Sequence, residues 1–169
     1  RLSKIGIRLA PWMAVSGPDD LTRLTEIGFP LILKTTRFGY DGKGQFRVAD
    51  EAALAGLQDL PYPLVAERMV DFERELSVMV VRGMDGTVRC FDTVENRHRD
   101  GILDITLAPA PVMPDLAVDA QQIASQIATV LGLVGIIGVE LFHASDRLLL
   151  VNPLAPPPPS SVPFPLPAF

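Results

Sequence analysis

The chain has 169 residues, 48% of them hydrophobic and 21% charged, a balance that supports a buried core and argues against disorder. Its formal net charge of −5 argues against the basic face of a nucleic-acid binder, yet leaves room for the few placed cations that hold a nucleotide. Cys90 is the one cysteine, so no internal disulfide or multi-cysteine metal centre can form, and a reducing, cytoplasmic setting is expected.

Arg1 to Trp12 mixes charges among its apolar residues, so no signal peptide is expected there. Ser16 to Gly28 reads as a short helix: Asp19 and Asp20 stand near its start, Leu21, Leu24 and Ile27 are spaced by threes, and Gly28 and Pro30 stop it. Leu31 to Thr36 is a β-prone run, followed by the glycine-rich Phe38 to Gly44 and an extended Gln45 to Ala49. Asp50 caps an alanine- and leucine-bearing helix to Leu60. Three strands are expected next, over Leu64–Met69, Glu73–Arg82 and Thr87–Glu95, with Met84-Asp85-Gly86 as a hairpin turn.

Between Asp119 and Glu140 there is no charge, a length that could cross a bilayer. Gln121, Gln122, Ser125, Gln126 and Thr129 make its first half polar, and Gly132, Gly135 and Gly138 interrupt the second. The stretch therefore reads as a helix over Val118–Leu131 and a buried strand over Val134–Phe142, and no membrane span is expected. Leu148–Asn152 pairs with that strand around a Ser145-Asp146 turn. Hairpins outnumber crossovers, which predicts an α+β fold. From Pro153 to Phe169 eight of seventeen residues are proline, so this tail is expected to be irregular.

Lys34 and Gly39-Tyr40-Asp41-Gly42-Lys43-Gly44-Gln45 carry the strongest chemical signal. Glycines let backbone N–H groups close around phosphate oxygens while ammonium groups neutralise charge. No Lys-Ser or Lys-Thr pair follows and no helix starts here, so this is not a P-loop. A loop between strands instead resembles a flap folded over a triphosphate, as in kinases, with a flexible hairpin tip as the plain alternative. The chain has twelve arginines and only three lysines, and Lys34 on the preceding strand tips the reading towards nucleotide.

Glu67, Arg68, Met69 and Val70 form a strand-to-loop segment whose backbone could meet an adenine edge, with Glu75 near enough to accept ribose hydroxyls. By alternation Glu75 shares a face with Ser77 and Met79, while Leu76, Val78 and Val80 face the other way; a solvated strand charge is the plain reading of Glu75. Glu140 sits inside the apolar Ile136–Phe142, where a buried carboxylate needs a cation or several donors. A three-residue loop at 145–147 puts Glu140 opposite Asn152, and a magnesium ion accepts oxygen donors of both kinds. A structural pair with an arginine is the competing reading. His98 reads as a polar loop residue; His143 and Cys90 carry no functional expectation.

In order along the chain, Lys34, the Gly39–Gln45 run, Phe72 with Glu75-Leu76-Ser77, Glu95-Asn96 with His98, and Gly138-Val139-Glu140-Leu141-Phe142 resemble the N5-carboxyaminoimidazole ribonucleotide synthetases of the ATP-grasp superfamily, from about Gly6 to Asn152. The resemblance implies an ATP-grasp fold of two small α+β lobes enclosing the nucleotide, about 1–66 with the flap and 67–152, followed by the 153–169 tail. It also implies a magnesium-dependent ligase of purine biosynthesis that makes carboxyphosphate from ATP and bicarbonate and carboxylates aminoimidazole ribonucleotide. Carried over, Lys34 and Gly39 to Gln45 would hold phosphates, Glu67 to Val70 adenine and Glu75 the ribose. His98 would lie at the nucleotide, Asn152 would join the ATP site, and Glu140 with Asn152 would hold magnesium. A homodimer is a further implication.

The family follows its last strand with Asn-Glu, Ala-Pro-Arg and His-Asn-Ser-Gly-His. Here Pro153 stands at the second magnesium carboxylate, Pro157 at the arginine, Pro159 at the histidine, Ser160 at the asparagine and Val162 at the glycine. No catalytic residue is therefore assigned, and the chain is expected to be incomplete or inactive at its catalytic end, lacking the family's N-terminal and C-terminal lobes. A catalytically silent nucleotide-binding or interaction module, or another ATP-grasp carboxylate–amine ligase, remains the alternative.

Overall fold

The computed structural model describes residues 6–36, 44–99, 102–144 and 148–152. Gly39 to Lys43, the Ser145-Asp146 turn and the tail from Pro153 lie outside these residues. The elements in chain order are β1 (Trp12–Val15), a 3-10 helix (Pro18–Glu26), β2 (Leu31–Thr35), β3 (Gln45–Val48), α1 (Glu51–Ala55) and β4 (Leu64–Arg68). β5 (Arg74–Arg82), β6 (Val88–Cys90), β7 (Val94–Arg99), β8 (Ile102–Leu107), α2 (Pro114–Leu131), β9 (Gly135–His143) and β10 (Leu149–Val151) follow.

The first strands form a four-stranded sheet in the order β1-β4-β2-β3, and the later ones a six-stranded sheet in the order β10-β9-β5-β7-β8 with β6 on β5. All these strand pairings are antiparallel. Each sheet buries one face. In the small sheet Val15, Leu31, Leu33, Val48, Leu64 and Ala66 pack with Leu24 and Leu60. In the large sheet Leu76, Val78, Val80, Val139, Leu141 and Val151 pack on α2. The helix presents Leu116, Ala120, Ala124, Ile127 and Ala128 to them, a stripe at helical spacing whose alanines allow close approach.

Strand alternation then determines what the other face carries. With Leu76, Val78 and Val80 buried, Glu75, Ser77 and Met79 point away from α2. In β2, with Leu31 and Leu33 buried, Ile32 and Lys34 occupy the face away from the core.

Two chain segments cross between the sheets. Ile7 lies in the large core, Leu9 bridges Val151, and Arg8 O accepts from Val151 N at 2.9 Å. Three residues on, Pro11 O accepts from Arg68 N at 2.8 Å and the chain enters β1. The second crossing runs from the end of β4 at Arg68 to the start of β5 at Arg74.

The structure departs from the expected elements at several places. Pro18–Glu26 is a 3-10 helix, and the spacing of Leu21, Leu24 and Ile27 by threes is the period of that helix rather than of an α-helix. The helix after Asp50 ends at Ala55, well short of Leu60, and Asp50 caps it by accepting from Ala53 N at 2.8 Å. The single strand expected over Thr87–Glu95 is two strands, β6 and β7, interrupted at Phe91–Thr93, where Phe91 N reaches Met79 O and Thr93 O accepts from Ala110 N. β1 and β8 were not expected, and α2 begins at Pro114, with proline in the first helical turn where its missing N–H costs nothing.

Candidate functional site

On the face of the large sheet opposite α2, strand register brings polar residues into rows. Glu75 lies between Phe142 of β9 and Asn96 of β7, and Thr106 of β8 stands beyond Asn96. One step along, Ser77 lies opposite Glu140. Past the end of the β9–β10 ladder, Asn152 N donates to Glu140 O at 2.9 Å, and Asn152 Nδ2 donates to Glu140 Oε2 at 3.0 Å. Glu140 and Asn152 are therefore neighbours, as the hairpin count requires, and among the described residues no arginine pairs with Glu140.

Glu75 meets His98, whose Nδ1 lies 3.3 Å from Glu75 Oε2. Burial pushes the Glu75 carboxyl above its ordinary range, His98 pulls it down, and the Glu140 charge pushes it up again. The site thus carries negative charge that its own residues only partly offset. Phe72 stacks on Phe142, ring centroids 4.6 Å apart and 16° from parallel, which walls the cluster with aromatic surface. A cavity of about 320 Å³ opens here, lined by Phe72 to Glu75 and Glu95 to His98.

Glu95, which the sequence offered only within a motif, has a structural part. It is 4% exposed, and it takes Arg74 Nη1 on one oxygen and Arg97 Nε on the other. Burial opposes its ionisation, but the hydrogen bonds and charges of Arg97 and Arg74 hold it below the usual carboxylate range. The Glu95–Arg pairs brace one wall of the cavity.

On the small sheet Lys34 Nζ lies 2.5 Å from Glu67 Oε2, with Glu67 only 6% exposed. Gln45 lies opposite Lys34 in the β2–β3 ladder, and Gly44 just before it adopts φ +76° while its carbonyl accepts from Thr35 N at 2.9 Å. A glycine is needed at that φ. At the end of β4, Arg68 N is committed to Pro11 O and Met69 N to Pro30 O, the latter at 2.9 Å. Of the Glu67–Val70 segment, those two N–H groups are not available to a base edge, and Glu67 itself lies within the β4 ladders to β1 and β2.

The structure therefore gathers Glu75, His98, Glu140 and Asn152 on one sheet, and Lys34, Gln45 and Glu67 on the other, with Arg68 to Val70 at the crossing between them. Gly39 to Lys43 lie outside the described residues. Residues the sequence left without a role are Ser77, Asn96, Thr106 and the Phe72–Phe142 stack. Alternation marked the face of Ser77, but its neighbours depend on β7 and β8.

No group of three or more His, Cys, Asp and Glu side chains suited to a metal ion occurs among the described residues. Glu140 with Asn152 does fit a hard cation that draws its remaining ligands from phosphate and water, because the donors are oxygens and the Glu140 charge raises the neighbouring Glu75.

The profile of the ATP-grasp domain matches residues 1–162. The chain belongs to the ATP-grasp family. Its α+β architecture of two antiparallel sheets is the ATP-grasp fold. The sequence is 40% identical over 162 residues to the N5-carboxyaminoimidazole ribonucleotide synthase of Brucella melitensis, a match covering 92% of this chain and 44% of that protein. It is 39% identical over 163 residues to the synthase of Bacillus subtilis, covering 95% of this chain and 43% of the other. A crystal structure of the ADP complex of an N5-carboxyaminoimidazole ribonucleotide synthetase superposes with a TM-score of 0.81 at 35% identity, over 95% of this chain and 43% of that one. This ATP-grasp chain spans less than half the length of the relatives it matches. Among its described residues no helix is long and apolar enough to cross a membrane.

Proposed function

We propose that this ATP-grasp chain supplies the ATP-binding core of a ligase that carboxylates 5-aminoimidazole ribonucleotide with bicarbonate and ATP, through carboxyphosphate, in purine biosynthesis. The observation that carries the reading is the Glu75–His98–Glu140–Asn152 cluster on the sheet face opposite α2, in a chain similar over most of its length to enzymes named for that product.

In this reading Lys34 and the loop of Gly39, Tyr40, Asp41, Gly42, Lys43, Gly44 and Gln45 hold the phosphates. The Lys34–Glu67 pair keeps the ammonium group neutralised until a phosphate competes for it. The Glu67–Val70 segment meets the adenine edge through backbone groups beyond the β4 ladder. Glu75 accepts ribose hydroxyls, with His98 beside it opposing the upward push of burial. Glu140 and Asn152 would hold magnesium, which would supply positive charge to offset that of the phosphates. The reading takes 1–66 and 67–152 as the two lobes and 153–169 as a tail, with the protein cytoplasmic and homodimeric.

Binding and turnover separate in this proposal. Pro153, Pro157 and Pro159 supply neither charge nor an N–H donor, so the chain binds nucleotide without completing the ligation. The test pairs calorimetric titration with ATP and magnesium with an assay of phosphate release in the presence of bicarbonate and aminoimidazole ribonucleotide. Saturable binding without ribonucleotide-dependent release is expected. Release that depends on the ribonucleotide would overturn the silent-tail reading, and absence of any nucleotide binding would overturn the assignment as a whole.

A further inference from the structure

Two linked side-chain hydrogen bonds on the polar face of the large sheet run from β8 through β7 to β5. Thr106 Oγ1 donates to Asn96 Oδ1 at 3.1 Å, and Asn96 Nδ2 donates to Ser77 Oγ at 2.9 Å. A hydroxyl that accepts at its oxygen still has its own hydrogen to give. Among the described residues the Ser77 hydrogen meets no acceptor. Yet Ser77 is half-buried and stands on the face it shares with Glu75, directly opposite Glu140. Three strands thus contribute side chains to a relay that ends in one aimed donor between two carboxylates.

We infer that Ser77 is a ligand-contacting residue of this site, its hydroxyl donating to a sugar hydroxyl of the bound nucleotide, with Asn96 and Thr106 as positioning residues. A hydroxyl is the matching ligand group because it both accepts and donates. It takes the Ser77 hydrogen at its oxygen and gives its own hydrogen to Glu75. A phosphate oxygen cannot donate to a carboxylate and is repelled by it. The amide in the middle sets the polarity. With Asn96 oxygen turned to Thr106 and nitrogen to Ser77, the serine oxygen accepts there and its own hydrogen is left for another partner.

The inference rests on the nucleotide reading above, and titration calorimetry on the whole chain separates the two. Ser77→Ala is expected to weaken ATP binding about three- to tenfold, the range of one net hydrogen bond, with Ser77→Thr restoring it. Asn96→Asp replaces the donor by an acceptor, so Ser77 turns its hydrogen back into the sheet. Its loss is expected to include that of Ser77→Ala, so that adding Ser77→Ala to Asn96→Asp costs nothing more. With either 2′-deoxy-ATP or 3′-deoxy-ATP, whichever lacks the contacted hydroxyl, the wild type and Ser77→Ala should bind equally. Wild-type affinity in Ser77→Ala, additive losses in the double variant, or an equal Ser77→Ala loss with ATP and both deoxynucleotides would each overturn the assignment. If the wild type binds no ATP, the nucleotide reading falls and this inference with it.

Discussion

Glu75 is held where its charge is costly. Burial and the charge of Glu140 push its carboxyl up, with His98 opposing, so near that raised value the folded chain binds more protons at this group than the unfolded chain. Stability from Glu75 is therefore full below the ordinary carboxylate range and is lost as pH rises through the folded value. Glu75→Gln should raise Tm at neutral pH in thermal unfolding while weakening nucleotide binding, the trade expected of a functional residue. Glu95 has the opposite sign. Its value is lowered by Arg97 and Arg74 against the cost of burial, so its contribution is present above the ordinary range and lost as pH falls through the folded value. Glu95→Gln should lower Tm at pH 7 and converge with the wild type on acidification, as followed by circular dichroism across a pH series. At this scale Glu140 and Asn152 were readable, because counting residues around a hairpin gives the cross-strand partner. The Arg74–Glu95–Arg97 brace was not, since charges that meet through a sheet leave no local pattern in the chain.

Elements were readable where periodicity was strong and local. β2, β5 and β9 announce themselves by apolar alternation or runs, and their cores follow. β7 does not, because Val94–Arg99 is mostly polar and charged; its pairing with β5 and β8 makes it a strand. β8 exposes Ile102, Leu103 and Ile105, which blurs the inside–outside contrast that marks a half-buried strand. Two variants test the local devices. Asp50→Ala removes the α1 cap and should cost about 1 kcal/mol, seen as a fall of about 2–4 °C in Tm. Gly44→Ala forces a side chain into φ +76° with its Cβ 2.5 Å from Thr35 Oγ1. It should destabilise by about 1–2 kcal/mol and loosen the β2–β3 ladder beside Lys34, read as faster amide exchange at Thr35.

At the scale of the molecule, two sheets, each with one face on its own core, carry polar groups on their other faces. They are linked by Ile7–Pro11 and by the segment from Arg68 to Arg74. The α+β class was legible from hairpins, and the ATP-grasp fold from motifs in order along the chain. The place of Glu67 on the small sheet was not, because it follows from the pairing of β4. In the proposed function both faces serve one nucleotide. Hydrogen–deuterium exchange with and without a non-hydrolysable ATP analogue and magnesium tests it most directly. Slower exchange is expected together at Lys34–Gln45 of the small sheet and at Glu140–Asn152 of the large one. Protection confined to one sheet, or at neither, would mean that the two faces do not share a ligand.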